Sequence, residues 1–286
     1  MTTTPAPQQR IALVATDLDG TLLRSDRTIN AWTRSVLDAC RARGVMVVPV
    51  TARQPLGLAP LATMCGFDED PATGWAICVN GALGINLCTG EVAFEHLLDV
   101  ASQQALAEAV LAALPETRFV SVRDRGHTFA AQRGYAALAG FADHHRDPAT
   151  MSALELPEVL GRPSLKLVAR HPELGTAELL DAVTQLAVPG VEATISGANF
   201  VECSAAGTTK GSGLDELCDV LGIGAGRVVA FGDAHNDIAM LRWAATSYAM
   251  DHADARVRAA ADALAGDNDD DGVARILMDL MRAGRL

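Results

Sequence analysis

The amino-acid sequence predicts an α/β protein: a doubly wound, Rossmann-like parallel-sheet core with an α+β cap domain inserted into it. Three observations predict this. Four short apolar runs, Ile11–Thr16, Val45–Val50, Trp75–Val79 and Arg227–Phe231, show little polar alternation, as strands buried on both faces do. Helical patterns lie between those runs, and strands alternating with helices imply parallel pairing. The stretch between the third and fourth runs mixes hairpin and helix instead, which marks it as an insertion. The expected division is a disordered tail over 1–10, a core built from 11–83 and 199–286, and a cap over 84–198.

Taken in order, the first ten residues, MTTTPAPQQR, are polar and lack the apolar run of a signal peptide. After the first strand, Asn30 is placed to cap a helix through about Arg43. Val36, Leu37 and Cys40 share one face of it, and Gly44 ends it. Within the insertion a helix is expected over Ser102–Leu114, then a hairpin, Arg118–Val122 and His127–Ala131, turning at "RDRG". A strand at Leu165–Ala169, a helix at Thr176–Leu186 and strands near Val191–Ile195 and Phe200–Cys203 follow. Thr209 caps the next helix, with Leu214, Leu217, Cys218 and Leu221 at helical spacing and Gly222 as its stop. Val273, Ile276, Leu277 and Leu280 outline a closing amphipathic helix.

Composition narrows the function. The chain has 286 residues, 49% hydrophobic and 20% charged, enough apolar surface for a substantial core. A net charge of −12 argues against nucleic-acid binding, because phosphate backbones select basic faces. No apolar stretch is long enough to cross a membrane. The six cysteines form no C-x-x-C pair and read as buried, reduced thiols. With neither a signal peptide nor a membrane-spanning stretch expected, a cytoplasmic location is expected by default. No pattern in the chain speaks to oligomeric state.

Chemistry gathers at the strand ends. Asp17 and Asp19 follow the first strand, Thr51 and Arg53 the second, Asn80 and Gly81 the third, and Asp233 the last. Ligands of open α/β sheets bind at those carboxyl ends. Residues two apart on a strand point to one side, so both Asp17 and Asp19 can face a substrate, with Gly20 permitting the turn away. One carboxylate can attack phosphorus and become an aspartyl-phosphate, while the other protonates the leaving oxygen and later deprotonates water. Their mutual repulsion with a phosphate requires a cation, and Mg²⁺ suits a few carboxylates plus water and phosphate oxygens. Asp233 and Asp237, four residues apart, are suited to that ligation. Among 23 Lys plus Arg only two are lysines, Lys166 and Lys210. Lys210 lies just ahead of a capped helix, where a compact ammonium can touch both an aspartate and a phosphate oxygen.

D17-L-D19-G-T21, T51-A-R53, K210-G211 and G232-D233-x-x-N236-D237, in that order, resemble the four motifs of the haloacid dehalogenase (HAD) superfamily of phosphohydrolases. The long insertion is similar to the α/β cap of its Cof-type subgroup, the IIB cap class, and "GDNDDDGVARIL" is similar to the ending common there. The resemblance implies Asp17 as nucleophile and Asp19 as general acid/base, its backbone carbonyl also on Mg²⁺. It implies Thr51 and Lys210 on the phosphoryl oxygens and Asp233 on the metal. Asp237 would support the metal or Lys210, and Asn236 would position phosphate or Lys210. Arg53 and Asn80, with their neighbours Ala52 and Gly81, fall on the substrate side. Two departures stand out. Ala52 replaces a frequent glycine, and Met250-Asp251-His252-Ala253 stands where many relatives show Met-Gly-Asn-Ala, adding an acidic group near the site's edge.

Two other stretches read as decoys. "DNDDDG", Asp267–Gly272, fits the first half of a calcium loop, but Met278 occupies the position needing a bidentate glutamate. His144-His145 reads as solvated cap surface. The hairpin tip Arg123-Asp124-Arg125 is either surface charge or a reader of the leaving group. The function expected is a Mg²⁺-dependent phosphatase acting on a small phosphorylated metabolite, such as a sugar phosphate, flavin mononucleotide or pyridoxal phosphate. The alternatives are a phosphomutase or phosphotransferase on the same scaffold, or a non-catalytic ligand-binding regulator.

Overall fold

In the computed structural model, residues 9–144 and 146–286 are described. The expected tail therefore lies outside the described residues, apart from Gln9 and Arg10, and so does His145. The strands run in chain order. β1 (Leu13–Thr16), β2 (Met46–Pro49), β3 (Trp75–Cys78), β4 (Leu83–Asn86) and β5 (Val92–Glu95) come first. β6 (Arg118–Arg123), β7 (Thr128–Ala131), β8 (Lys166–Arg170), β9 (Val191–Thr194) and β10 (Val201–Ala205) follow. β11 (Val228–Gly232), β12 (Thr246–Ala249) and β13 (Ala263–Leu264) close the series.

β1 lies inside a parallel sheet ordered β13-β12-β11-β1-β2. The chain leaves β1 toward β2 on one side, and β11 later arrives on its other side. That reversal is a switch point, where chain segments diverge and leave a crevice at the strand ends. β3 continues the sheet beyond β2 through a parallel bridge, Val50 to Ile77, but also pairs antiparallel with β4. Three of the four expected parallel strands thus join the main ladder outright, and the fourth is its hinge to a small antiparallel sheet, β3-β4-β5. β12 and β13 are additions that the sequence pattern did not single out.

Helices cover both faces. Helix Ala31–Arg41 begins where expected, the Asn30 side chain accepting from the Thr33 backbone N–H. It buries Val36, Leu37 and Cys40 together with Leu277 and Leu280 of the last helix, Gly272–Arg282. On the opposite face, helix Lys210–Leu221 buries Leu214, Leu217 and Cys218 against Leu13, Ala15 and Val228. Each such fully buried leucine or valine stabilises the fold by roughly 1.5–3 kcal/mol.

The cap is an antiparallel sheet ordered β7-β6-β8-β10-β9. Helices Val100–Ala113 and Thr176–Gln185 cover one of its faces, through Leu106, Val110, Leu179 and Val183. The expected hairpin is present as β6 and β7. The expected domain boundaries both fall inside strand pairings and are corrected. β4 and β5 pair with β3, so the core reaches Glu95; β10 pairs with β8 and β9, so the cap reaches Ala205. Periodicity marks a strand but does not say which partner it pairs with. No described helix is long and apolar enough to cross a membrane.

The acidic run near the chain's end has a structural role. The Asp271 carboxylate accepts from Arg24 Nη2 at 2.8 Å, Asn30 Nδ2 at 2.7 Å and Thr33 Oγ1 at 2.9 Å. Asp269 accepts from the backbone N–H and hydroxyl of Ser25, both at 2.7 Å. These bonds pin the segment after β1 to the last helix. Asp271→Ala leaves those donors without their acceptor at a largely buried point, which costs about 2 kcal/mol and lowers the thermal midpoint by about 4–8 °C. Calorimetry checks this, and an unchanged midpoint would show that the cluster carries no stability.

Candidate active site

β1 delivers Asp17 at its carboxyl end, 6% exposed, with its backbone N–H bonded to Phe231 O of β11. Lys210 enters from the first turn of its helix, whose start is fixed by the Thr209 hydroxyl accepting from the Ser212 N–H at 3.0 Å. The ammonium donates to Asp17 Oδ1 at 2.7 Å and to Asp237 Oδ1 at 2.6 Å, and Lys210 is 1% exposed. Asp237 is fully buried, and its other oxygen accepts from the backbone N–H groups of Asp233 and Ala234, both at 3.0 Å. One aspartate therefore fixes both the lysine and the loop that carries Asp233.

Asp233 is held from the opposite direction. Thr21 donates its hydroxyl to Asp233 Oδ1 at 2.7 Å, and His252 Nε2 lies 3.4 Å from Oδ2. Gly20, at φ +80°, passes so close that a Cβ there would meet Asp233 Oδ2 at 2.6 Å. Thr21 of the first motif and His252, part of one of the two departures, thus both stand beside Asp233.

Asp17, Asp233 and Asp237 each bring a carboxylate oxygen within 4.8 Å of the others. Three carboxylates around one ammonium leave an excess of negative charge. Burial, the largest cause, lifts the Asp17 carboxyl well above its ordinary range; Lys210 opposes this, while Asp237 and Asp233 add to it. Asp233 is raised likewise by burial and then by Asp237. Burial disfavours the charged form of Lys210, but Asp17 and Asp237 outweigh it and hold the ammonium above its usual range. A compact set of hard oxygen donors with unmet negative charge fits Mg²⁺. The Asp19 carboxylate is not in that group. Arg53 takes it in a two-pronged pair, Nε and Nη2 each at 2.6 Å, so any part for Asp19 in holding a cation falls to its backbone carbonyl.

Thr51 is 1% exposed, and its hydroxyl accepts from the Arg53 backbone N–H at 3.1 Å. A cavity of about 320 Å³ opens between core and cap, lined by Asp19, Ala52, Arg53 and Asp233 below and by Lys166, Ser196, Phe200 and Glu202 above. Asn80 and Gly81 do not line it. Asn80 is 2% exposed, donates to Glu202 Oε2 at 3.1 Å, and accepts from Asn236 Nδ2 at 2.9 Å. Gly81, at φ +99°, lies where a Cβ would come within 2.0 Å of Thr209 O. Their expected place on the substrate side gives way to packing, because the turn after β3 runs beneath the cap junction. The Asn236 amide N–H reaches this junction through Asn80.

The cap's charged tip resolves likewise. Arg123 is buried, donating to Ser121 Oγ at 2.9 Å and to the carbonyls of Glu158 and Val159. Arg125 lines a separate hollow with Glu95, Leu97 and Arg162. At the tip, Gly126 lies so close to the core that a Cβ there would meet the Gln54 side chain at 2.8 Å. His144 is not solvated surface as expected. Its ring stacks on Phe200 at 4.6 Å and 8°, and Nε2 shares a 2.7 Å hydrogen bond with the Tyr135 hydroxyl. Its stacking partner Phe200 lies far along the chain, invisible to local pattern. Sequence reasoning also passed over Glu202, whose only signal was a carboxylate inside the apolar run Phe200–Cys203.

Burial pushes the His144 ring down from 6.5 to about 4. Between those values the unfolded chain binds a proton that the folded protein refuses, so the ring's contribution is complete above about 6.5 and lost as pH falls toward about 4. The thermal midpoint should decline over that window, and His144→Gln should flatten the decline. Equal slopes in both proteins would assign it elsewhere.

Comparison with known proteins places this geometry. The family model of haloacid dehalogenase-like hydrolases matches residues 14–277. The pyridoxal phosphate phosphatase YbhA of Escherichia coli (strain K12) is 27% identical over 286 aligned positions, covering 93% of this chain and 97% of that protein. The 5-amino-6-(5-phospho-D-ribitylamino)uracil phosphatase YbjI of the same strain is 26% identical, covering 93% and 95%. The crystal structure of a haloacid dehalogenase-like hydrolase from Bacteroides thetaiotaomicron superposes with a TM-score of 0.75 at 26% identity, covering 95% of this chain and 100% of that one. The chain belongs to the haloacid dehalogenase-like hydrolases. Within them it is a phosphatase, a phosphoric monoester hydrolase.

Proposed function

We propose that the protein is a Mg²⁺-dependent phosphatase of the cytoplasm that hydrolyses a small phosphorylated metabolite through an aspartyl-phosphate on Asp17. The observation that carries this reading is the Lys210 ammonium buried between Asp17 and Asp237 at the carboxyl end of β1. Such a lysine holds a nucleophilic carboxylate in place and offers its third N–H to an incoming phosphoryl oxygen.

Asp17 attacks phosphorus; the bond from its carboxylate oxygen forms as the bond to the leaving oxygen breaks. Asp19, its side chain 45% exposed at the cavity, is placed to give that oxygen a proton. Its pairing with Arg53 means that an arriving phosphate competes for the guanidinium and frees the carboxyl. Asp19 then takes a proton from the water that attacks the aspartyl-phosphate, which releases phosphate and restores Asp17. Thr51 and Lys210 bind phosphoryl oxygens, and Asp237 keeps Lys210 aimed. Mg²⁺ would be held by Asp17, Asp233 and the Asp19 carbonyl, with Asp237 behind them, and would supply charge neutralisation when bound. A cavity of about 320 Å³ supports a compact leaving group, in keeping with the two Escherichia coli relatives. Six free thiols support a reducing setting.

Asp17→Asn should keep its circular dichroism and lose on the order of 10³-fold or more in kcat on an aryl phosphate. Full activity in that variant would remove the mechanism. Chelation with EDTA should abolish turnover and Mg²⁺ restore it; turnover indifferent to both would exclude the metal. With a hexose phosphate, free phosphate is the expected product, whereas an isomerised ester would mean transfer to a sugar hydroxyl.

A further inference from the structure

Both lysines of the chain are buried in carboxylate pairs, and only Lys210 has a role so far. Lys166, on β8, is 5% exposed and pairs with Glu202, on β10, which is 1% exposed. We propose, on the phosphatase reading above, that Glu202 and Lys166 are positioning residues through which the cap sets the geometry of two catalytic loops in the core.

Strand alternation directs both side chains to the cap face opposite its helices. Val201 and Cys203 pack with the helices, so Glu202 faces the other way, toward the core. In register Glu202 stands opposite Val168, which makes Lys166 its diagonal neighbour on the same face. From there the pair reaches the core in two directions. The Lys166 ammonium donates to the Ala52 carbonyl at 3.2 Å, between Thr51 and Arg53. Glu202 Oε2 accepts from Ser196 Oγ at 2.6 Å and from Asn80 Nδ2 at 3.1 Å. Asn80 in turn holds Asn236, in the loop of Asp233 and Asp237, and donates its backbone N–H to Thr51 O at 3.0 Å. One cap carboxylate is thereby connected to both the Thr51–Arg53 loop and the Asp233–Asp237 loop.

The backbone at the crossing is strained. Val79 and Asn80 hold φ +53° and +56°, and a β-branched residue rarely adopts that region. Such strain persists only where the surroundings over-determine it. Here the Val79 N–H donates to Arg53 O, and Glu202 and Asn236 grip the Asn80 amide from both ends. A buried ion pair is weak support for stability, since apolar residues of similar volume usually serve as well. The number of loops joined at this pair argues for positioning instead.

The test measures kcat, KM and thermal midpoint with para-nitrophenyl phosphate and Mg²⁺, using Lys166→Met/Glu202→Gln, which removes both charges and keeps the volume. The expected result is a midpoint near wild type, an unchanged KM, and kcat reduced on the order of 10²-fold, the scale of a small misplacement of reacting groups. Wild-type kcat in the double variant overturns the proposal, and so does a rise in KM alone, which would make Lys166 a substrate ligand. Should the double variant not fold, Asn80→Gly keeps the left-handed backbone and cuts the line from Glu202 to Asn236. Its kcat should fall about 10-fold at constant KM, and an unchanged kcat again overturns the proposal. Asp17→Asn assayed in parallel separates the two readings: activity surviving there defeats the phosphatase mechanism, whereas activity lost there but intact in the double variant defeats only the positioning role.

Discussion

A lysine ammonium with almost no contact with water, bonded to two aspartates from different parts of the chain, sets the terms for everything around it. Removing three charged groups from water is costly unless each is paired, so every surrounding element must hold its place to keep the pairing intact. β1 must end at Asp17, the helix must begin at Lys210, and the loop after β11 must fold back so that Asp237 can reach both the ammonium and two backbone N–H groups. Gly20 and Gly232 follow from the same demand, since a side chain at either would occupy the space of an aspartate.

The parallel sheet makes this arrangement available. Because β1 has β2 on one side and β11 on the other, three carboxyl ends open side by side, and side chains from distant stretches meet without long excursions. The excess negative charge held there needs a rigid frame and repels a phosphate unless a cation offsets it; phosphoryl transfer depends mainly on such positioning and electrostatics. The cap contributes a face with its own internal neutralisation: Lys166 with Glu202, and Arg170 with Asp143. The ceiling of the cavity is therefore polar without carrying a large net charge.

Much of this was legible in the sequence, for identifiable reasons. Asp17, Lys210, Asp233 and Asp237 stand at strand ends or a helix start, where short-range signals such as apolar runs, caps and glycines fix positions closely. What escaped depends on pairing across long separations. The assignment of β4, β5 and β10 to one sheet or another is decided by tertiary contact, and so the domain boundaries shifted. His144 is enclosed by Phe129 and Phe200, of which the latter lies more than fifty residues away. Asn80 looks like a ligand at a strand end until the cap supplies Glu202 as its partner. The sequence motifs mark the residues of the floor; the linkage between floor and ceiling becomes visible only in three dimensions.

The cap joins the core through two short connections, His96–Asp99 on entry and Ala206–Thr209 on exit, the second ending directly at Lys210. This bears on how such a protein can change by recombination. A cap exchanged as a cassette at these joints would carry away Glu202 and Lys166 while leaving Asn80, Ala52 and Asn236 behind. Unless the incoming segment brought a carboxylate to meet Asn80, the graft would leave a buried amide without an acceptor beside the reaction centre. A graft at these joints therefore needs an acceptor for the Asn80 amide on its own inner face, at the place Glu202 holds on the strand Val201–Ala205.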